Sequence, residues 1–404
     1  MSTSLLYHGF CIRGYEYRRT YFEDGTVIFT IAQNRSQLRC PECGSEDVHR
    51  RGHVTRELQH LPIGGKPVFL KLNVARVHCQ QCQRIRQVNI SFADQQRSYT
   101  RAFARYVLQL RSSMTLTAVA AHLGVSDWMV RDIEKRWLGK HFARPKLINL
   151  KQIAIDEISV GKGHRYATIV LDLESGAIVH VGDGKGREAL EPFWKRLRAS
   201  RAQVEAVATD MSPAFISAVL ENLPDAMLVF DRFHIVKLFN DKLSDFRRDL
   251  YREAIGPLAK LVLKGTRWLL LKNPENLDAD RNEPARLEEA LALNQPLATA
   301  YYLKEDLRQF WEQSSRFEAA RFLDDWCVRA RASGIRFLQK FANTLGGHRS
   351  GLLAWYDYPI STGPLEGTNN KIKTLKRQAY GFRDQEYFRL KLYALHMTKH
   401  VLVG

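Results

Sequence analysis

The chain has 404 residues, 45% of them hydrophobic and 26% charged, which is ordinary for globular protein and leaves room for two or three separately cored domains. Its balance is strongly basic, with 61 Lys and Arg against 43 Asp and Glu and a formal net charge of +18, which points to polyanionic partners. Met1 to Phe10 lacks the basic-then-apolar order of a signal peptide, and apolar runs such as Trp268–Leu271 fall far short of a membrane span; a cytoplasmic protein with no membrane partner is expected.

Residues 1–95 read as short strands and turns. Val68, Leu70, Leu72 and Val74 alternate, and Gly64-Gly65 marks a turn. Two C-x-x-C pairs, Cys40/Cys43 and Cys79/Cys82, are separated by 35 residues. Each pair offers two thiolates from one tight turn, and four soft ligands fill a tetrahedral zinc shell. A zinc ribbon with one extra hairpin is therefore expected over 1–95, with structural Zn²⁺ on the quartet. A redox dithiol or simple buried cysteines are the rival readings, and one C-x-x-C alone would leave them open. His49, His53 and His78 are surplus candidate ligands. Cys11 and Cys327 have no partner and are expected in cores.

Residues 96–148 turn helical and very basic; 51–150 carry 17 Lys and Arg against 5 Asp and Glu. Val119, Ala120 and Leu123 form one apolar helical face, Gly124 permits a tight turn, and Ser126 caps a second helix that buries Val130 and Ile133. This is a helix-turn-helix pattern. Its second helix would offer Ser126, Trp128, Arg131, Lys135 and Arg136 to DNA.

Residues 149–239 alternate differently: three strands in a row, then helix, strand, helix, strand, which is a mixed α/β layer. Asp156, Asp210 and Asp231 each close an apolar strand run, in Ile153-Ala-Ile-Asp, Val204-to-Asp210 and Met227-Leu-Val-Phe-Asp. Acids at the ends of neighbouring strands converge in space, and hard oxygens at that density suit Mg²⁺. Taken singly, each Asp has a commoner role capping a turn. Residues 240–350 show helical periodicity with few strand signals. In 351–404, Pro364 fits the first turn of a helix carrying Glu366, with Asn370, Lys373 and Arg377 following at helical spacing.

These motifs resemble the bacterial insertion-sequence transposases of the ISL-three family. The matching residues are Cys40-Pro-Glu-Cys43; Ile155-Asp-Glu with Gly163-His-Arg-Tyr-Ala-Thr168; Thr209-Asp-Met-Ser-Pro213; Phe230-Asp-Arg-Phe-His-Ile-Val-Lys237; Gly265-Thr-Arg-Trp-Leu-Leu-Leu271; and Leu365-Glu-Gly-Thr-Asn-Asn-Lys371 with Ala379-Tyr-Gly-Phe382. The resemblance implies a multidomain α+β chain: zinc ribbon over 1–95, helix-turn-helix over 96–148, and an RNase H-like domain over 149–239 and 351–404. An all-helical insertion over 240–350 would interrupt that domain. It implies that Asp156, Asp210 and Glu366 form an Asp-Asp-Glu triad holding two Mg²⁺ (or Mn²⁺) ions, with Asp231 and His234 in a supporting Asp-x-x-His element. Trp268 and Trp326, within the insertion, are expected to pack in its core, with stacking on an unpaired base as the alternative.

The function implied by the resemblance is 3′-end cleavage of DNA and transfer of the freed strand into a target. The partners would be double-stranded DNA at the terminal inverted repeats and at the target, bound by a homodimer, in a cytoplasmic protein associated with the bacterial nucleoid. Two rivals remain in view. One is a DNA-binding regulator on a transposase-derived scaffold, against which the intact acids argue. The other is a nuclease that cuts without joining.

Overall fold

The computed structural model describes residues 5–34, 36, 38–161, 163, 165–254, 263–264 and 266–396; His164 and Gly265 of the motifs above, and Met1 to Ser4, lie outside the described residues. The chain forms two compact units. One comprises the described part of 1–143 with 376–391, the other that of 144–375 with 392–396.

In the first unit a short helix, α1 (Leu5–His8), precedes five strands: β1 (Tyr15–Glu23), β2 (Thr26–Gln33), β3 (Val48–Ile63), β4 (Lys66–Cys79) and β5 (Arg84–Gln87). They form a single sheet in the order β1-β2-β4-β3, with β5 also paired to β4. β3 and β4 make one long hairpin closed by the expected Gly64-Gly65 turn, and this is the extra hairpin between the two C-x-x-C pairs. Val68, Leu70, Leu72 and Val74 are all buried in the core beneath it, as their alternation predicts. Cys11 departs from expectation: it is exposed, on a left-handed residue just after α1, so it joins no core.

Helices α2 (Arg101–Arg111), α3 (Leu116–Leu123) and α4 (Asp127–Phe142) follow. Thr100, Thr115 and Ser126 each accept a hydrogen bond from the backbone N–H three residues on, capping the three helices in turn. Gly124 sits at φ +63°, a left-handed conformation that a side chain would strain, and it turns α3 into α4. Val119, Ala120, Leu123, Val130 and Ile133 are buried together with Phe103 and Val107 of α2.

The same unit takes in residues 385–391 of the last helix, α15 (Gln385–Tyr393). Its anchor is Glu134 of α4, only 5% exposed. That carboxylate accepts hydrogen bonds from Lys391 Nζ at 2.7 Å, Arg111 Nε at 2.8 Å and the Tyr387 hydroxyl at 2.6 Å. Burial works to raise its pKa, but the two cations outweigh burial and hold it below the usual carboxylate range.

The second unit is built on a five-stranded sheet of β6 (Gln152–Gly161), β7 (Arg165–Asp172), β8 (Ile178–Asp183), β9 (Ala206–Thr209) and β10 (Met227–Phe230). Their order is β10-β9-β6-β7-β8; β6, β7 and β8 are antiparallel neighbours, and β6, β9 and β10 run parallel. Helices α5 (Glu191–Ser200) and α6 (Pro213–Asn222) supply the parallel crossovers. This is the RNase H-like arrangement. The apolar runs bearing Asp156, Asp210 and Asp231 are thus three adjacent parallel strands, with β10 at the sheet edge, and Asp156 lies inside β6 where the sequence has it closing the strand.

After β10 the chain is helical: α7 (Arg232–Glu253), α8 (Arg267–Leu271), α9 (Glu283–Ala292), α10 (Gln295–Gln309), α11 (Arg316–Ala332), α12 (Arg336–Gly347) and α13 (Arg349–Leu353). No strand occurs among the described residues of this stretch. Its core contains Phe239, Phe310, Trp326, Cys327 and Phe341, and it is continuous with Phe230 of β10. Gly351 makes that junction possible, since a Cβ there would lie 2.4 Å from the Phe230 ring. Helix α14 (Gly363–Gln378) then carries Glu366. No helix among the described residues is long and apolar enough to cross a membrane.

Candidate metal centres and nucleic-acid interface

The cysteine quartet is brought together by the β3–β4 hairpin, whose open end carries the two C-x-x-C turns. The sulfurs of Cys40, Cys43, Cys79 and Cys82 all lie within 4.8 Å of one another, and Cys43 Sγ is 3.6 Å from Cys79 Sγ. That spacing is far too long for a disulfide and close to the roughly 3.8 Å that tetrahedral Zn–S bonds of about 2.3 Å impose. Backbone hydrogen bonds from Cys43 and Glu42 favour the thiolate at Cys40 and lower its pKa to about 7. The Cys82 N–H likewise points at Cys79 Sγ, at 3.4 Å. The donor set and its geometry fit structural zinc. His49, His53 and His78 are not part of the cluster.

The carboxylates are arranged differently. Asp156 lies within β6, and Asp210 is the first residue after β9, on the strand paired with β6. Asp156 is held by two donors: Glu157 N–H on Oδ1 at 2.7 Å and Asn369 Nδ2 on Oδ2 at 3.0 Å. Burial pushes its pKa up, and the neighbouring Asp210 charge pushes it further. Glu157 is raised as well, by burial first, with Asp210 and Asp156 adding to it and Lys185 opposing. Asp210 accepts the Ser212 N–H on Oδ1 at 3.0 Å, which shapes the turn after β9.

Glu366 lies in the first turn of α14, exposed, three residues before Asn369. One helical turn therefore sets Glu366 and the Asp156-bonded Asn369 on the same face. Among the described residues, however, the cysteines are the only group of three or more ligands gathered so closely, and the three acids are not. Two buried oxygens in these same elements have no partner, Asn369 Oδ1 and Thr209 Oγ1. Asp156 and Glu157, raised by burial beside Asp210, together with these unpaired oxygen acceptors, fit a hard divalent cation.

Asp231 opens α7 and is almost fully buried. Its carboxylate accepts the Thr362 hydroxyl at 2.7 Å and the Thr362 N–H at 3.3 Å, and it pairs with His234 Nδ1 at 3.1 Å. Burial opposes ionisation, but the His234 and Thr362 bonds prevail and lower the Asp231 pKa. The bond to Asp231 raises the His234 pKa, with the charges of Asp156 and Asp210 adding to it. Thr362 immediately precedes α14 and its carbonyl accepts the Glu366 N–H, so Asp231 fixes the start of the helix bearing Glu366.

Sequence spacing singles out Asn370, but of the two adjacent asparagines it is Asn369 that is buried and reaches Asp156. Asn370, Lys373 and Arg377 are exposed. Thr362 gives no signal in the sequence; no spacing rule links it to Asp231, and only the tertiary fold does. On α4, Ser126 and Arg136 are exposed and Trp128 is 64% exposed, while Arg131 is half-buried. Lys135 is engaged by Asp384 at 2.9 Å and Glu386 at 2.7 Å. The two tryptophans singled out in the helical stretch, Trp268 and Trp326, part company. Trp326 is in the core with its indole N–H on the Leu303 carbonyl, whereas Trp268 is 65% exposed with the Arg267 guanidinium 4.8 Å from its ring, so core packing is corrected for Trp268.

Comparisons with known proteins match this order of parts. The model of a zinc-finger of transposase IS204/IS1001/IS1096/IS1165 matches residues 36–82, that of the helix-turn-helix domain of transposase family ISL3 matches 88–138, and that of the ISL3 transposase domain matches 153–392. The chain belongs to the ISL3 transposase family. It is 34% identical to the transposase for insertion sequence element IS1001 of Bordetella parapertussis, over 91% of each chain. It is 30% identical to the transposase for IS1557 of Mycobacterium tuberculosis, over 90% of this chain and 87% of that one. Among solved structures, the Drosophila P element transposase strand transfer complex aligns with 74% of this chain and 92% of its own at TM-score 0.41 and 11% identity. The chain is thus an insertion-sequence transposase with a zinc ribbon and a helix-turn-helix.

Proposed function

We propose that this transposase binds the terminal inverted repeats of its element as a homodimer, cuts the 3′ ends in a divalent-metal-dependent step, and joins them to target DNA. The observation that carries this reading is the Asp156 cluster. Asp156 and Asp210 lie on paired parallel strands, and Asn369 bonds Asp156 from the helix bearing Glu366. Asp156, Asp210 and Glu366 would hold two Mg²⁺ or Mn²⁺ ions. When bound, such ions supply an activated oxygen nucleophile and neutralise the leaving oxygen.

The chain's own residues do the positioning. Asn369 Nδ2 and the Glu157 N–H orient the two oxygens of Asp156. Asp231, through Thr362, holds the first turn of α14 in place. His234, kept protonated more readily by Asp231, balances the negative charge of Asp156 and Asp210 before a cation arrives. Ser126, Trp128, Arg131 and Arg136 would meet DNA from α4, with Asn370, Lys373 and Arg377 adding phosphate contacts. Lys135, already ion-paired, would contribute least. Handling both ends of one element together calls for a two-fold assembly.

The test uses labelled DNA carrying the flanking inverted repeats, a plasmid target and Mg²⁺, with wild type, Asp210→Ala and Glu366→Ala run in parallel. Joined products from wild type alone, with end binding kept by both variants, are expected. Cut but unjoined ends would indicate a nuclease. Binding without cutting, or active variants, would overturn the assignment of the triad.

A further inference from the structure

The Ala379-Tyr-Gly-Phe382 segment has no part in the chemistry above, yet its geometry is unusual. Helix α14 ends in a double backbone closure, with the Tyr380 N–H on the Arg377 carbonyl at 3.1 Å and the Gly381 N–H on the Lys376 carbonyl at 2.9 Å. In that closure the residue at position 380 must be left-handed, the place where glycine is normally found. Here it is Tyr380, at φ +49°, and the glycine comes one residue later at φ +95°. A non-glycine residue strains this position, and such strain is ordinarily offset by burial. Tyr380 buries nothing; it is 100% exposed. Phe382, by contrast, packs on Phe388 at 4.9 Å and Tyr387 at 5.8 Å between ring centres, tying the turn to α15.

The surroundings are cationic. Residues 371–383 contain five Lys and Arg and no acid, and Arg377 and Arg383, on either side of the ring, are exposed. An exposed aromatic ring flanked by cations is a stacking platform for nucleic-acid bases.

We propose that Tyr380 is a DNA contact whose ring stacks on an unpaired base at a strand end, while Arg377 and Arg383 hold the adjoining phosphates. This rests on the reading of the chain as a strand-cutting transposase. Bases inside a duplex already have both faces covered, so the ring selects a base outside the helix, as strand cutting produces. The left-handed backbone ends the helix at the ring, and the packing of Phe382 ties the following turn to α15.

Tyr380→Gly is the informative variant, because it relieves backbone strain while removing the ring. Full-length protein would be titrated, without divalent metal, against a duplex with a short single-stranded 3′ tail carrying 2-aminopurine, and against the blunt duplex. Wild type should favour the tailed probe and quench its fluorescence. Tyr380→Gly should melt no lower than wild type, bind the tailed probe roughly five- to hundredfold more weakly, and bind the blunt duplex unchanged. Tyr380→Phe should behave as wild type. Equal binding of tailed and blunt DNA by wild type, or an unaffected Tyr380→Gly, would overturn the proposal; so would a lower melting point in Tyr380→Gly, which would mark the ring as structural. Metal-free binding does not involve the triad, so failure here and failure of the strand-transfer assay are separate results.

Discussion

The first unit gathers four cysteines from two short turns, with their sulfurs within 4.8 Å of one another, whereas the second draws its acids from the middle of one strand, the end of its neighbour and a helix that begins more than 150 residues later. The difference is one of what holds like charges together. At the first knuckle, backbone N–H groups of the same turn favour the Cys40 thiolate, while the crowding of the other sulfurs, Cys43 first, pushes Cys82 up to about 12. Around Asp156 the backbone supplies one donor, and the second is a side chain from the helix of Glu366. The zinc site is therefore a local product of sequence, and the carboxylate site a product of topology. They should fail in different ways.

Removing one sulfur should cause the largest effect. Zinc in structural sites contributes about 10–16 kcal/mol, as much as the whole stability of a typical domain. Cys79→Ser is expected to abolish stoichiometric zinc and the cooperative unfolding of the first unit, leaving the unfolding of the second in place. Metal analysis paired with calorimetry reads both. A variant that kept its zinc and both transitions would remove the basis for calling the quartet a structural centre.

A smaller effect tests the same unit by pH. His60 is buried, its Nδ1 2.8 Å from the Thr100 hydroxyl and its Nε2 without a partner, and burial lowers its pKa from 6.5 to about 4. The unfolded chain thus binds a proton between those values that the folded chain refuses. His60 costs no stability above pH 6.5, and the fold weakens as pH falls toward 4, by roughly 3 kcal/mol at the lower end. Acid also releases zinc from thiolates, so the measurement is the difference in denaturant midpoint between wild type and His60→Gln at each pH. That difference should shift in favour of the variant as pH drops from 6.5 to 4. A difference that stayed flat would show that His60 is not what sensitises this unit to acid.

Local rules carry far in this chain. The C-x-x-C pairs, the Ser126 cap, Gly124 and the alternation in β4 each have short-range causes, and all appear in the structure where their spacing puts them. The strand and helix order of the second unit is equally legible, because each apolar run ends at an acid or a turn. What spacing does not supply is partnership across long separations. Asp231 with Thr362, Asp156 with Asn369 and Glu134 with Lys391 are all pairs more than 100 residues apart. Nor does it tell Trp268 from Trp326, since both sit on helical stretches of similar composition and only the packing separates them.

Asn369 gives the finest test, because it is the residue that makes the carboxylate site depend on topology. Its amide donates to Asp156 and leaves its own Oδ1 unpaired and buried. If it orients a metal-holding carboxylate, Asn369→Ala should lower strand-transfer activity by about 10- to 100-fold, the usual cost of losing such a supporting bond. The loss should be partly recovered at higher Mg²⁺, because Asp156 itself remains. Asp210→Ala, by contrast, should stay inactive at every Mg²⁺ concentration. End binding should be unchanged in both, as the helix-turn-helix is untouched. A Mg²⁺ titration of the joining rate separates these cases. Wild-type rate and metal dependence in Asn369→Ala would reduce the asparagine to packing and leave Asp156 to be positioned by its own strand.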